Sequence, residues 1–254
     1  MLNNKLISVV FVMALSLILI SGAINGTAQA QDLKIGLSIS TQNNPFFVTL
    51  KEGAQKKADE IGAELIVADA QNSASNQMSS VENLITRQVD VLLINPVDSD
   101  AVASAIKAAN NANIPVITVD RGSSGGEVVT HIASDNVIGG EMAGERIVEL
   151  VDGSGKIVEL QGIPGTSAAR ARGEGFHNIV DEKEDIEVVA SQPAGFDRSE
   201  GMTVMENILQ ANQDIDAVFA HNDSMALGAV QAIEAAGRLN EIDIVGFDAI
   251  DDAL

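Results

Sequence analysis

The chain contains no cysteine, no tryptophan and no tyrosine. Without cysteine there is no thiolate for metal binding, no thiol nucleophile and no disulfide, so the fold must be held by its core. Without tryptophan no indole can serve as a flat binding face. Basic residues are also scarce, 15 Lys and Arg against 36 Asp and Glu, for a formal charge of −21. A surface of that sign repels phosphate backbones and argues against nucleic acid as a partner. The acidic residues are scattered rather than clustered, as on a solvated surface.

Aromatic residues are limited to seven phenylalanines, so where they fall carries information. Phe46 and Phe47 stand together in Asn43-Asn44-Pro45-Phe46-Phe47, just after an apolar run. Phe196 lies in Gly195-Phe196-Asp197-Arg198, and Phe247 immediately precedes Asp248. Apolar faces beside Asn, Asp and Arg at the ends of apolar runs suit a polar ring such as a sugar.

The amino-terminal segment reads as a leader. Lys5 supplies a short positive region, Leu6 to Ile20 is apolar or small, and Ala28-Gln29-Ala30 has the small-x-small pattern of a cleavage site. This three-part pattern predicts a secretory signal peptide over residues 1–30, cleaved after Ala30. Its apolar run falls short of the roughly 20 residues that span a bilayer. With no cysteine near the cleavage site to carry a lipid, a free periplasmic protein is expected.

From Lys34 onward, short apolar runs alternate with Ala-rich stretches of helical period. Strands are expected at Lys34–Ser40, Glu64–Ala68, Val89–Ile94, Pro115–Val119, Val128–Ala133, Lys156–Leu160, Ile186–Ser191, Ala217–Ala220 and Asp243–Phe247. Helices are expected at Val48–Ile61, Ser75–Arg87, Ala101–Ala112, Gly139–Val151, Ala168–Glu182, Ser199–Gln210 and Met225–Ala236. The strands are continuous apolar runs, which implies helices on both faces of parallel sheets. The pattern therefore predicts an α/β fold of two doubly wound, Rossmann-like lobes. An internal echo supports two lobes. Val91-Leu92-Leu93-Ile94-Asn95 leads through a helix to Val116-Ile117-Thr118-Val119-Asp120, and Ala217-Val218-Phe219-Ala220-His221-Asn222 leads through another to Ile244-Val245-Gly246-Phe247-Asp248. The expected division is a first lobe over 31–134 and a second over 135–254, hinged near Ser134-Asp135-Asn136 and near Ala249.

In open parallel sheets, ligands bind beyond the carboxyl ends of the strands. The tips there are Ser40, Asn44, Asp69, Asn95, Asp120, Arg121, Gln161, Asn222 and Asp248. Asp accepts and Arg donates through a planar fork, so Asp120-Arg121 can grip neighbouring hydroxyls. Signals for catalysis are weak. His131, His177 and His221 lack the spacing of a helical metal pair, and His221 reads as structural; Ser167 lacks a nucleophile elbow. No catalytic residue, metal site or cofactor is expected.

These motifs give the chain a resemblance. Ser40-Thr41-Gln42-Asn43-Asn44-Pro45-Phe46-Phe47, Leu93 to Val102, Ile114 to Arg121, His131 to Asn136, Glu159-Leu160-Gln161-Gly162 with Gly165 to Arg170, and Val245-Gly246-Phe247-Asp248 resemble the pentose- and hexose-binding family of periplasmic proteins, ribose binders included, that serve ABC transporters. The likeness runs from about Asp32 to Asp248 and implies a type I periplasmic-binding-protein fold. It further implies that Asn44, Asp120, Arg121, Arg172, Asn222 and Asp248 hydrogen-bond a sugar, that Phe46, Phe47 and Phe196 enclose its ring, that Phe247 lies at the pocket, and that Ser40 adjoins it. Galactose- and arabinose-type relatives stack their sugar on Trp, so its absence here favours D-ribose. Allose, xylose and the furanosyl signal autoinducer-2 stand as alternative ligands, and a sugar-modifying enzyme as the alternative activity. The implied partners are a membrane permease and a chemoreceptor, with the protein itself a monomer. Family members continue past the Val-Gly-Phe-Asp strand with a helix, a strand returning to the first lobe, a pocket Gln and a third crossing between lobes. The chain stops at Leu254, and so reads as a truncated product.

Overall fold

Each expected apolar run becomes a strand. The structure is a computed structural model that describes residues 33–254, so the expected leader lies outside the described residues. Its strands are β1 (Lys34–Ile39), β2 (Glu64–Asp69), β3 (Val91–Ile94), β4 (Val116–Val119), β5 (Thr130–Ile132), β6 (Gly155–Gln161), β7 (Ile186–Pro193), β8 (Ala217–Ala220) and β9 (Asp243–Val245). The helices between them are α1 (Pro45–Ile61), α2 (Ala74–Thr86), α3 (Val102–Asn111), α4 (Asn136–Leu150), α5 (Ser167–Val180), α6 (Arg198–Ala211) and α7 (Asp223–Ala235). A short 3₁₀ turn, Asp251–Ala253, follows β9. None of the helices among the described residues is long and apolar enough to cross a membrane.

The strands make two sheets, ordered β2-β1-β3-β4-β5 and β7-β6-β8-β9, and every pairing is parallel. Counted from its own first strand, each sheet begins with the order second, first, third, fourth. The two echoing sequence segments are β3-α3-β4 and β8-α7-β9, the third and fourth strands of their sheets. The order changes direction beside β1 and β6, the switch point where such folds place ligands.

Both faces of the second sheet are covered, and its strands show why. Ala217 and Phe219 of β8 point into a cluster with Ala143 and Ile147 of α4 and Phe176 and Val180 of α5. Val218 and Ala220 point the other way, among Met205 and Ile208 of α6 and Met225, Ala229 and Ile233 of α7. The period of two places alternate side chains on opposite faces, and both faces are apolar. In the first sheet, Leu92, Ile94 and Val116 pack with Val81 and Leu84 of α2 and Ile106 of α3.

Several boundaries differ from expectation near the candidate site: β9 ends at Val245 rather than Phe247, α4 begins at Asn136 rather than Gly139, α7 begins at Asp223 rather than Met225, and the start of α1 moves as well. α1 begins at Pro45, not at Val48, so Phe46 and Phe47 lie in its first turn. Proline is favoured there because its missing N–H would have no helical partner at that position anyway. Asn44 caps the turn, its side chain accepting from the Phe46 N–H at 3.0 Å.

Candidate functional site

The expected residues are positioned by helix starts and strand ends. Asn44 caps α1, and Asn222 caps α7 by accepting from the Met225 N–H at 3.0 Å. In each the side-chain oxygen is committed to the helix, a contribution of about 1 kcal/mol per cap. The Asn222 amide donates to the Phe196 carbonyl at 3.4 Å. Asp120 sits at φ 62° beyond β4, and the Arg121 N–H turns back to the Val119 carbonyl at 2.7 Å. Phe196 (φ 59°) and Asp248 (φ 104°) also occupy the left-handed region. Non-glycine residues seldom adopt it, and where they do the strain tends to gather at functional sites. Asp223 supports the last of these turns. Its N–H donates to the Phe247 carbonyl, and its carboxylate accepts from the Ile250 N–H.

Two close approaches need glycine. A Cβ on Gly162 would lie 2.0 Å from the Phe196 ring, and one on Gly139 would lie 2.4 Å from the Phe247 ring. Any side chain at either position would push out an aromatic ring of the site.

The centre holds two positive and two negative groups, all nearly buried. Arg121 Nε lies 3.7 Å from the Asp120 carboxylate, and Arg172 Nη1 lies 3.3 Å from that of Asp248. Arg121 is sandwiched between rings from the two halves, 5.0 Å from the Phe47 centroid and 5.2 Å from that of Phe196. Arg172 rests on Phe247 at 3.7 Å. Guanidinium groups are weakly hydrated and stack well on aromatic faces, which makes them tolerable in such a site. Arg172 is tightly held: Nε donates to Asn136 Oδ1 at 2.9 Å, and Nη1 donates to the His221 carbonyl. Arg121 is not. It donates once, to the Pro96 carbonyl at 3.2 Å, and its Nε has no hydrogen-bond partner. Ser40 Oγ is the other buried unpartnered side-chain atom among the described residues.

Burial shifts these groups away from charge. The Asp248 carboxyl is pushed up to about 7 by desolvation, with Arg172 opposing, and the nearby Asp120 and Asp223 adding to the rise. Asp120 is also raised by burial, against the pull of Arg121 and Arg172. Arg121 is lowered to about 10 by desolvation, and Arg172 is lowered for the same reason. Such mutual perturbation in a cleft marks a functional site more often than a structural one.

The structure brings nine of the expected residues around one small space: Asn44, Phe46, Phe47, Asp120, Arg121, Arg172, Phe196, Asn222 and Asp248, with Ala168 as an unforeseen tenth. That space is about 10 Å³, roughly one water. A cavity of about 310 Å³ adjoins it, sharing Asn44, Phe47, Arg121 and Phe196 and lined further by Thr41, Asn43 and Arg198. The four charged groups and the rings about them leave no ring-sized space at the centre. Phe247 does not line the small space; it lies behind Arg172 and lines, with Met142 and Ala249, a neighbouring groove that shares Phe46 and Asp248 with that space. Ser40 lies beneath, its N–H donating to Asn95 Oδ1 at 3.2 Å.

Sequence reasoning undervalued two residues. Asn95, noted only as a strand tip, joins three tips: its amide nitrogen also donates to the Val119 carbonyl at 3.1 Å and to Asp120 at 3.3 Å. His221, read as structural, is structural in its side chain, yet its carbonyl holds Arg172. A polar residue ending a buried apolar strand is the signal for both.

Comparison with known proteins shows the family. Residues 35–254 match the family described as periplasmic binding protein domain. The chain is 52% identical over 237 residues to the ribose import binding protein RbsB of Escherichia coli, covering 93% of this chain and 79% of that one. The RbsB of Bacillus subtilis is likewise 52% identical, covering 91% and 74%. Among solved structures, an ABC transporter solute binding protein of Bacillus halodurans with bound myo-inositol superposes with a TM-score of 0.84 at 37% identity, covering 89% of this chain and 79% of that one.

Proposed function

The chain belongs to the periplasmic binding proteins, and we infer that it captures D-ribose between its two sheets and delivers it to the permease of an ABC importer. It acts by binding rather than by turnover. The observation that carries this reading is the facing of Asp120-Arg121 and Arg172–Asp248 across Phe47 and Phe196. A pentose has hydroxyls on its edges and apolar C–H patches on its faces. Carboxylates accept from the hydroxyls and guanidinium forks donate to them, and bonds to charged partners are worth about 1.5–3 kcal/mol each. The Phe rings take the faces.

Capture requires the centre to open, because the unoccupied space is only about 10 Å³. Residues 31–134 and 135–254 act as the two lobes, and Ser134-Asp135-Asn136 and Ala249 lie at the hinges. Ribose selects the closed form by bonding at once to Asp120 and Arg121 of one lobe and Arg172 and Asp248 of the other, contacts the open lobes cannot offer together, so its affinity is greater for closed than for open lobes. A 1 μM complex needs about 8 kcal/mol. For a pentose of about ten heavy atoms that is below the ceiling of about 1.5 kcal/mol per atom.

Residues 1–30 act as the leader, with cleavage after Ala30 releasing a periplasmic monomer. Presentation of the closed lobes to a chemoreceptor is a second use of the same surface. The test is calorimetric titration with ribose, allose, xylose, myo-inositol and autoinducer-2. Micromolar or tighter binding of ribose, with the others weaker, is expected. Tighter binding of another of these would move the assignment to that ligand, as the myo-inositol complex of the Bacillus halodurans neighbour illustrates.

A further inference from the structure

Beneath the pocket lies a second charged group that the sugar contacts do not include. Glu159, in the middle of β6, is fully buried, as is His221 at the tip of β8. His221 Nε2 is 2.8 Å from Glu159 Oε1, and His221 Nδ1 lies 3.3 Å from the Gly162 nitrogen. The Gly162 N–H can only donate, so Nδ1 accepts and the ring proton is on Nε2, aimed at the carboxylate. Both ring nitrogens are thereby fixed, one to β6 and one to the loop that leads to α5. Ser191 and Gln161 donate to the other Glu159 oxygen, with His177 Nε2 at 3.4 Å. Phe219 closes the ring's side at 5.1 Å.

Two features connect this group to the pocket. The His221 carbonyl accepts from Arg172 Nη1, and the next residue is Asn222. A Cβ on Gly173, the neighbour of Arg172 on α5, would be 3.4 Å from both Glu159 Oε1 and the His221 ring, so α5 passes directly over the pair. The His221 backbone is anchored by its own N–H, which donates to the Leu160 carbonyl at 3.0 Å, and its ring by Glu159 and Gly162; together these hold in place the residue whose carbonyl aims Arg172.

We propose that Glu159 and His221 form a buried positioning pair that sets the orientation of Arg172 and Asn222, and so the affinity of the pocket, without touching the ligand. The proposal rests on the sugar-binding reading for its affinity readout, but not for its geometry.

The test uses the full chain with His221→Leu, His221→Gln and Glu159→Gln, the first also combined with Arg172→Lys. His221→Leu should weaken ribose binding by about tenfold. His221→Gln, which restores a donor towards Glu159, should recover affinity to within about threefold of the parent. In the Arg172→Lys background His221→Leu should cost no more than about twofold, because coupled residues are not additive. In unliganded protein the Arg172 Nε–Hε resonance should move in His221→Leu. Losses that multiply in the double variant, or an Arg172 resonance that stays in place, would overturn the proposal. If the parent protein binds no ribose, the sugar reading fails by itself, and the Arg172 resonance still decides the positioning. Should His221→Leu not fold, Glu159→Gln carries the same spectrum: it keeps an acceptor but removes the charge, a shift is expected, and none would refute the pair.

Discussion

The two sheets share a strand order but differ in how they hold their arginines. Arg121, beyond the first sheet, lies between two phenyl rings with a single hydrogen bond and an unpartnered Nε. Arg172, beside the second, is fixed by Asn136, by the His221 carbonyl and by Asp248, and rests on Phe247. The same division appears below the surface. The second sheet packs Phe176, Phe219 and His221 together, whereas the buried cluster of the first is wholly aliphatic. One side of the clamp is thus built before the ligand arrives, and the other has hydrogen-bonding capacity still to be satisfied. Preorganisation lowers the ordering cost of binding, while an unsatisfied donor gains most when a hydroxyl reaches it.

The comparison can be broken first at Arg172. Arg172→Ala should weaken ribose binding by at least tenfold and by about 2–5 kcal/mol, since it strands the buried Asp248 carboxylate. A calorimetric affinity equal to the parent's would remove the second sheet from the site. Phe196→Ala should cost about 1.4 kcal/mol, roughly tenfold, by removing a ring shared by Arg121 and the sugar face. If it left affinity unchanged, Arg121 would not depend on its sandwich.

A pH series probes the same centre more gently. Ionised, Asp248 accepts at both oxygens and holds Arg172 by charge; protonated, it keeps some acceptor capacity but loses the ion pair, and its carboxyl lies at about 7. Ribose affinity should therefore fall by about tenfold between pH 8 and pH 6, as one group titrating near 7 requires. A flat profile over that range would show that ligand contact does not need the charge. The stability effect has the opposite sign. Because this carboxyl is raised in the folded state, protonation between about 7 and its ordinary 3.8 relieves a destabilising charge in the unliganded protein.

Glu159 gives the smallest effect. Burial alone would raise it, but bonds from His221, Ser191 and Gln161 hold it at about 2, against an ordinary 4.5. Its stabilisation is complete above about 4.5 and disappears as pH falls towards 2. Thermal unfolding followed by circular dichroism should show that acid limb, shallower in Glu159→Gln. An identical limb in the variant would assign it to other carboxylates.

Much of this architecture could be read from the sequence, because its causes are local. Continuous short apolar runs such as Val91–Ile94 and Ala217–Ala220 suit strands covered on both faces, and the Ala-rich stretches between them have helical period. The start of α1 lies three residues before the expected Val48, because Asn44 and Pro45 together are a helix start that apolar periodicity does not register. The pocket residues were legible as strand tips and through the resemblance. Their pairings were not. Arg172 meets Asp248 and Phe247 across 76 and 75 positions, and nothing local in Ala169-Arg170-Ala171-Arg172 distinguishes the buried arginine from its exposed neighbour Arg170. His221 reads as structural in the sequence, but its partner Glu159 lies on another strand, beyond any local pattern.

Asn44 and Asn222 have a consequence for how the cleft can diversify. Each amide starts a helix with its oxygen while it borders the pocket, so the two corners cannot vary as freely as an ordinary binding loop. Asn, Asp, Ser, Thr and, at small cost, Gly keep the helix start; larger or apolar side chains do not. A lineage drifting towards a larger or more apolar solute would lose folding stability at these corners before gaining fit. Change is cheaper at Phe46, which borders the same space, is only partly buried and caps nothing. The fold itself therefore biases descendants of this chain towards small, hydroxyl-rich solutes.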